Sequence, residues 1–150
     1  MIAVIQRVLN ASVDIAGQRF SSIEQGLLIL LGIGHDDQQE DIDWLIKKIC
    51  NLRIFSDHEG KMNLSVKDID GNLLIVSQFT LFASTKKGNR PSFIEAAPPQ
   101  KAIPLYESFV KEAGFELGKQ VQTGEFGADM QINLRNDGPV TILIDTKNKQ

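Results

Sequence analysis

The chain is poor in the residues that most often announce chemistry. It has one cysteine, Cys50, in 150 residues, so no internal disulfide can form, which suits a reducing compartment and makes the cytoplasm the expected location. It has two histidines, His35 and His58, and neither has a recognisable partner for nucleophilic catalysis. The carboxylates beside His35 (Asp36, Asp37, Glu40 and Asp41) read as acidic residues at the start of a helix, and Ser56-Asp57-His58-Glu59-Gly60 as a polar loop. No metal and no cofactor is called for. Long apolar runs are missing too: Leu27 to Ile33, with Gly32 inside it, is far below the roughly 20 residues a membrane helix needs. At the N-terminus Arg7 follows the apolar residues instead of preceding them, so no signal peptide is expected. Nor is there an excess of positive charge, because a net charge of -3 argues against broad, sequence-blind binding of nucleic acid while leaving room for a local basic patch. There are no repeats, low-complexity tracts or linkers. A hydrophobic content of 42% and a charged content of 23% are ordinary for a soluble globular chain, and a single domain is expected.

The chain is organised around Leu73 to Phe82. Its aliphatic run Leu73-Leu74-Ile75-Val76, entered from the turn signal Asp70-Gly71-Asn72, reads as a buried strand. The run stops at Ser77-Gln78-Phe79-Thr80 and resumes with Leu81-Phe82. Burying a hydroxyl or amide without a partner costs about 1 to 3 kcal/mol, so these polar groups are either tied into the backbone or line a cleft. Before this stretch, Ile2 to Val8 reads as a strand buried on both faces, with Arg7 snorkelling to the surface. Ser12 to Ala16 and Arg19 to Ile23 form a hairpin over Gly17-Gln18, and Leu27 to Ile33 a further buried strand. Ile42, Leu45, Ile46 and Ile49 then fall on one face of a helix over 37–52. After the central stretch comes a loop, Ser84 to Phe93, that carries Lys86, Lys87 and Arg90 within five positions. A second helix runs from about Pro99 to Ala113 with Gly114 at its exit and Leu105, Phe109 and Val110 on its apolar face. Strand character returns in Met130, Ile132 and Leu134, and Asn136-Asp137-Gly138-Pro139 turns the chain into Val140 to Ile144.

Ser77-Gln78-Phe79-Thr80-Leu81 and Asn136-Asp137-Gly138-Pro139-Val140-Thr141, with Gly88-Asn89-Arg90-Pro91-Ser92-Phe93 between them, resemble the D-aminoacyl-tRNA deacylase family, the kind known for a Gly-cisPro motif. The resemblance extends over the whole chain and includes Arg7 and Gly124-Glu125-Phe126-Gly127-Ala128. It implies a mixed α/β fold, compact, with curved, barrel-like and largely antiparallel sheets and helices packed on one side. It also implies a homodimer that hydrolyses the ester between a D-amino acid, or glycine mischarged on alanine tRNA, and the terminal adenosine of tRNA.

By the same resemblance, Ser77, Gln78, Phe79 and Thr80 are catalytic, holding the ester and stabilising the oxyanion while a ribose hydroxyl of the RNA assists water. Gly138 and Pro139, joined by a cis peptide and inserted into the partner's site, reject L-amino acids. Arg7 pins them, and Phe126 and Met130 complete the substrate pocket. Lys86, Lys87 and Arg90 are assigned to phosphates near the acceptor end. Two rivals share parts of this reading: a conventional esterase with Thr80 or Ser77 as covalent nucleophile, which lacks an evident base, and a dimeric binding module without activity.

Overall fold

Strand β1, Ile2–Ile15, runs unbroken for 14 residues, and three of the other five strands of the main sheet pair with it directly. The computed structural model describes residues 1–150. β1 turns back into β2, Gln18–Ile23. Ala16 and Gly17 form that turn with φ of 51° and 79°, one residue earlier than expected, because a two-residue turn matching the strand twist needs positive φ at both positions. β3, Gly26–Gly32, pairs antiparallel with β1 and parallel with β6, Asn72–Ser77. Between them lie helix α1, Gln39–Cys50, and the short hairpin of β4, Phe55–Ser56, and β5, Met62–Leu64. A parallel pair needs such a crossover. Helix α2, Pro99–Leu117, then packs beside α1, and β7, Gln122–Thr123, adds to β6. β8, Met130–Asp145, closes the system along the free edge of β1.

The helices cover one face of the sheet. Ile42, Leu45, Ile46 and Ile49 of α1 are buried as their spacing predicts, against Ala3, Ile5, Leu27, Ile29 and Leu31. Each fully buried aliphatic side chain contributes about 1.5 to 3 kcal/mol. Ile2 and Val4 are only half-buried, so this half of β1 is fully covered on one face and not on both. On the other face Val8, Ala11, Val13, Ile23, Leu28, Leu74 and Val76 form a second, smaller core. In α2 the inward stripe is Ala102, Tyr106, Phe109 and Ala113, with Leu105 and Val110 at its margin. That helix runs past Gly114 to Gly118, which takes the left-handed φ of 79° and donates its N–H to the Gly114 carbonyl at 2.9 Å. Of two glycines able to end the helix, the second adopts the capping conformation.

The expected turn at Asn136-Asp137-Gly138-Pro139 does not reverse the chain. Gln6 pairs with Thr141 and Val8 with Asn136, so Arg7 alone stands opposite Asp137 to Val140, which loop out as a wide bulge before β8 resumes along the same strand. No helix is long and apolar enough to cross a membrane. Cys50 is fully buried, and burial pushes its thiol up to about 11, which keeps it protonated and unreactive at neutral pH.

Asp37 and Asp41 do more than complement a helix dipole. Asp37 lies before α1, buried, and accepts from the Met1 ammonium at 2.5 Å and the Gly34 amide at 2.6 Å. Asp41 accepts from the Gln38 amide at 2.9 Å and from Lys147 at 2.8 Å, which ties α1 to the end of β8. Burial pushes the Asp41 carboxyl up, but hydrogen bonds from Lys147, Thr146 and the Gln38 amide outweigh it and bring it from 3.8 down to about 2. A carboxylate held below its unfolded value stabilises the fold above that value and loses the contribution as pH falls through the folded one. Asp41→Asn is therefore expected to lower stability near neutral pH and to flatten its fall between about pH 4 and pH 2, measured by urea unfolding at a series of pH values. An unchanged acid limb in the variant would show that this carboxylate carries none of the pH dependence.

Candidate active site

The central strand does not resume after its polar residues. β6 ends at Ser77, the Gln78 amide makes a last bond to the Leu31 carbonyl at 2.8 Å, and Phe79–Phe82 form a single 3-10 turn. The cause lies in another strand. A Cβ on Gly32 would stand 3.1 Å from the Gln78 carbonyl oxygen and from Leu81 Cβ, and one on Gly34 would stand 2.9 Å from the Phe82 ring. Glycine at both positions lets the turn fold down over the end of β3. Ser77 and Gln78 are thereby half-buried while Phe79 and Thr80 stay exposed, and the Gln78 side-chain amide donates to the Thr80 hydroxyl.

Facing this turn across a cleft of about 320 Å³ are Phe126, Gly127, Ala128, Asp129, Met130 and Ile132, on the loop after β7 and the start of β8. One carbonyl organises that wall. Ile75 O accepts from the buried Tyr106 hydroxyl at 2.7 Å and from the Gly124 amide at 3.3 Å. The Tyr106 ring stacks at a tilt on Phe126 with centroids 5.9 Å apart. Burial pushes the Tyr106 hydroxyl up to about 12, so it remains a neutral donor. Gly124 has no room for a Cβ beside the Met130 sulfur. The structure thus brings Ser77, Gln78, Phe79, Phe126 and Met130 to one cleft with Thr80 bonded at its edge. Tyr106 was not expected here; its signal is a lone tyrosine on the apolar stripe of α2, a group whose hydroxyl must find a buried partner.

The cleft offers hydroxyls, an amide and apolar side chains. Neither Ser77 nor Thr80 is hydrogen-bonded to a histidine or carboxylate. His35 Nε2 lies 2.7 Å from the Ile94 carbonyl, and His58 is exposed. A backbone bridge between Ser84 and Ser92 closes the basic loop, with N–H to carbonyl distances of 2.8 and 2.9 Å. Lys86, Lys87 and Arg90 on it are exposed and unpaired. Phe93 anchors the loop to the site, packing edge-on against Phe79 with centroids 5.1 Å apart.

Gly138 and Pro139 are joined by a cis peptide and are exposed on the bulge of β8. They are not in the cleft of their own protomer. Ser77 pairs with Leu31 at one end of the sheet, whereas the bulge stands beside Arg7, which pairs with Leu27, roughly 13 Å further along β3 at about 3.3 Å per residue. Arg7 does not snorkel. It is 8% exposed, and its Nε donates to the Asp137 carbonyl at 2.8 Å and its Nη1 to the Ile54 carbonyl at 2.5 Å. Burying an unpaired guanidinium is costly, and these bonds compensate it while holding the bulge. Asn136 completes the frame, accepting from the Val140 amide at 2.8 Å and donating to the Val140 carbonyl at 3.1 Å.

The chain as a whole is similar to known proteins. A D-aminoacyl-tRNA deacylase of Cytophaga hutchinsonii is 66% identical over 150 residues, covering all of both chains. A solved structure described as c-Myc DNA Unwinding Element Binding Protein superposes with a TM-score of 0.92 at 42% identity, covering 97% of this chain and 98% of that one. One described as a probable eukaryotic D-amino acid tRNA deacylase shares the fold, with a TM-score of 0.81 at 16% identity over 95% and 97% of the two chains. The family model described as D-Tyr-tRNA(Tyr) deacylase matches residues 4–145, from the first half of β1 to the end of β8 and so across both cleft walls and the bulge, and the chain belongs to that family.

Proposed function

We propose that the cleft hydrolyses the ester linking a D-amino acid, or glycine, to the terminal adenosine of tRNA, as a cytoplasmic editing enzyme. The observation that carries this reading is a cleft with donors and hydroxyls in place but no base to activate a nucleophile. An aminoacyl ester needs little activation. Water adds to the ester carbonyl, assisted by the neighbouring ribose hydroxyl, the bond to the ribose oxygen breaks, and free amino acid and tRNA leave. The protein's task is preorganisation. The first N–H groups of a 3-10 turn have no partner within it, so Phe79 and Thr80 are suited to bind the oxyanion, while Gln78 orients the Thr80 hydroxyl and Phe126 and Met130 enclose the amino acid.

Selection works by exclusion. The Gly138-Pro139 bulge of one protomer enters the cleft of its partner and stands against the substrate's alpha carbon, where an L side chain collides, a D side chain points away and glycine has none. Three features support this assignment. The bulge is exposed at the end of the sheet remote from its own cleft, it is held by Arg7 and Asn136, and a Cβ on Gly138 would stand 2.7 Å from Val140 Cγ2. The apolar side chains of Leu9 and Leu134 are left open on the same two strands, as a protomer awaiting its partner would leave them.

Matched D-, L- and glycyl-tRNA incubated with the purified protein should lose the D- and glycyl esters and keep the L-ester. Equal hydrolysis of D and L would remove the exclusion reading, and three intact esters the activity itself. Thr80→Ala should slow turnover by on the order of 10² to 10³-fold, as loss of one positioned donor does. A fall on the order of 10⁶-fold, with an acyl-threonine trapped in the parent, would instead mark a covalent nucleophile. Neutralising Lys86, Lys87 or Arg90 singly should weaken tRNA binding and lower the slope of log affinity against log salt by about one; a triple neutral variant with the parental slope would leave this loop a solvated one.

A further inference from the structure

Lys86, Lys87 and Arg90 account for one group of unpaired cations. A second surrounds the chain's single tryptophan, Trp44, on the outer side of α1. Lys48 Nζ lies 5.6 Å from the ring centroid and Lys149 Nζ 4.6 Å. Two shallow hollows of about 370 and 410 Å³ meet at Trp44, Lys48 and Leu52, and Lys47 and Arg53 line the second. None of Lys47, Lys48, Arg53 and Lys149 is in an ion pair, and all four are exposed. Asp145 lines one hollow, Asp43, Glu112 and Glu116 lie on the α2 side of Lys47, and Arg53, whose Nε donates to the Asn63 carbonyl at 2.9 Å and whose Nη2 donates to the Asn63 side chain, lies near Asp68. The helix dipole explains lysines at positions 47 and 48. It does not explain why Lys149, from the segment after β8, comes to the same ring in a chain of net charge -3.

The position of this ridge matters. α1 starts after the cleft end of β3 and its last turn leads through Arg53 to Ile54 beside the bulge, while Trp44 and Lys149 lie along Ile142 to Asp145, the stretch of β8 just beyond the bulge. Arg7 joins the bulge to the segment after Arg53 by bonding both the Asp137 and Ile54 carbonyls. We propose that the Trp44 ridge, with Lys47, Lys48, Arg53 and Lys149, binds the phosphate backbone of the tRNA whose aminoacyl end lies in the partner's cleft. This rests on the cross-subunit reading of the bulge. The ring holds the Lys48 and Lys149 ammonium groups in place, so less side-chain freedom is lost when phosphate binds them, and each cation that meets a phosphate adds to the salt dependence. One protomer thus supplies the bulge and the RNA ridge, and the other supplies the hydrolytic cleft.

The test is the triple variant Lys47→Gln, Lys48→Gln, Lys149→Gln, whose side chains are exposed and unpaired. With uncharged tRNA its salt slope should fall by about two to three units. KM for D-aminoacyl-tRNA should rise at least tenfold at unchanged kcat, while a 3′-D-aminoacyl adenosine, which lacks the RNA body, should be cleaved as by the parent. A parental slope, or an equal rise in KM on both substrates, overturns the ridge. Because the slope is read with uncharged tRNA, a parent that cuts no ester would remove the deacylase reading and leave this arm intact. In mixed dimers of the triple variant with Thr80→Ala, the competent cleft faces an intact ridge on its partner, and KM should return to the parental value. A KM as high as in the triple variant itself overturns the cross-subunit placement.

Discussion

One strand must satisfy both of its edges along almost its whole length, and the rest of the structure follows from that requirement. β1 gives one edge to β3 and then to β2, and the other to β8 throughout. A buried backbone donor left unpaired costs as much as a lost hydrogen bond, so β8 has to track β1 from Ile15 back to Ile2 whatever its own sequence contains. Asp137 to Val140 cannot follow in register, and they are expelled as a bulge instead of ending the strand. The exposed loop is thus a product of continuous pairing on either side of it, and Arg7 occupies the gap left opposite.

The same strand separates the two ends of the protein. At the Ile2 end gather the close of β3 and the 3-10 turn after β6, which is one wall of the cleft; the other wall begins at Met130, opposite Ile15. At the Val8 end gather the bulge, Ile54 and the last turn of α1. A single protomer cannot bring these ends together, because the strands between them do not shorten.

Much of this was legible in the residues. Ile42, Leu45, Ile46 and Ile49 place α1 because their period survives any tertiary context, and the abrupt stop of aliphatics at Ser77 marks the cleft because polar groups at the end of a core strand need a reason. What was not legible depends on partners distant in sequence. The 3-10 turn is decided by Gly32 at the end of β3 and Gly34 just beyond it, where missing side chains open the space for it. Asp137-Gly138 carries a hairpin signal that β1 overrules. Arg7 and Asp37 look like surface charges, yet both are buried because a carbonyl pair and the Met1 ammonium wait for them inside. The family resemblance marked more of the cleft's lining than periodicity did, since it named Phe126 and Met130, which no local pattern distinguishes from ordinary core.

The Ile75 carbonyl, which accepts from both Tyr106 and Gly124, joins α2, β6 and the Phe126 wall at one atom in the interior. Neither wall of the cleft can open without giving up a buried bond, so the site is shaped before any substrate arrives. The ordering entropy is met at folding and not at binding. Association should then show little loss of protein flexibility and a heat-capacity change limited to the apolar area that the bound group itself covers.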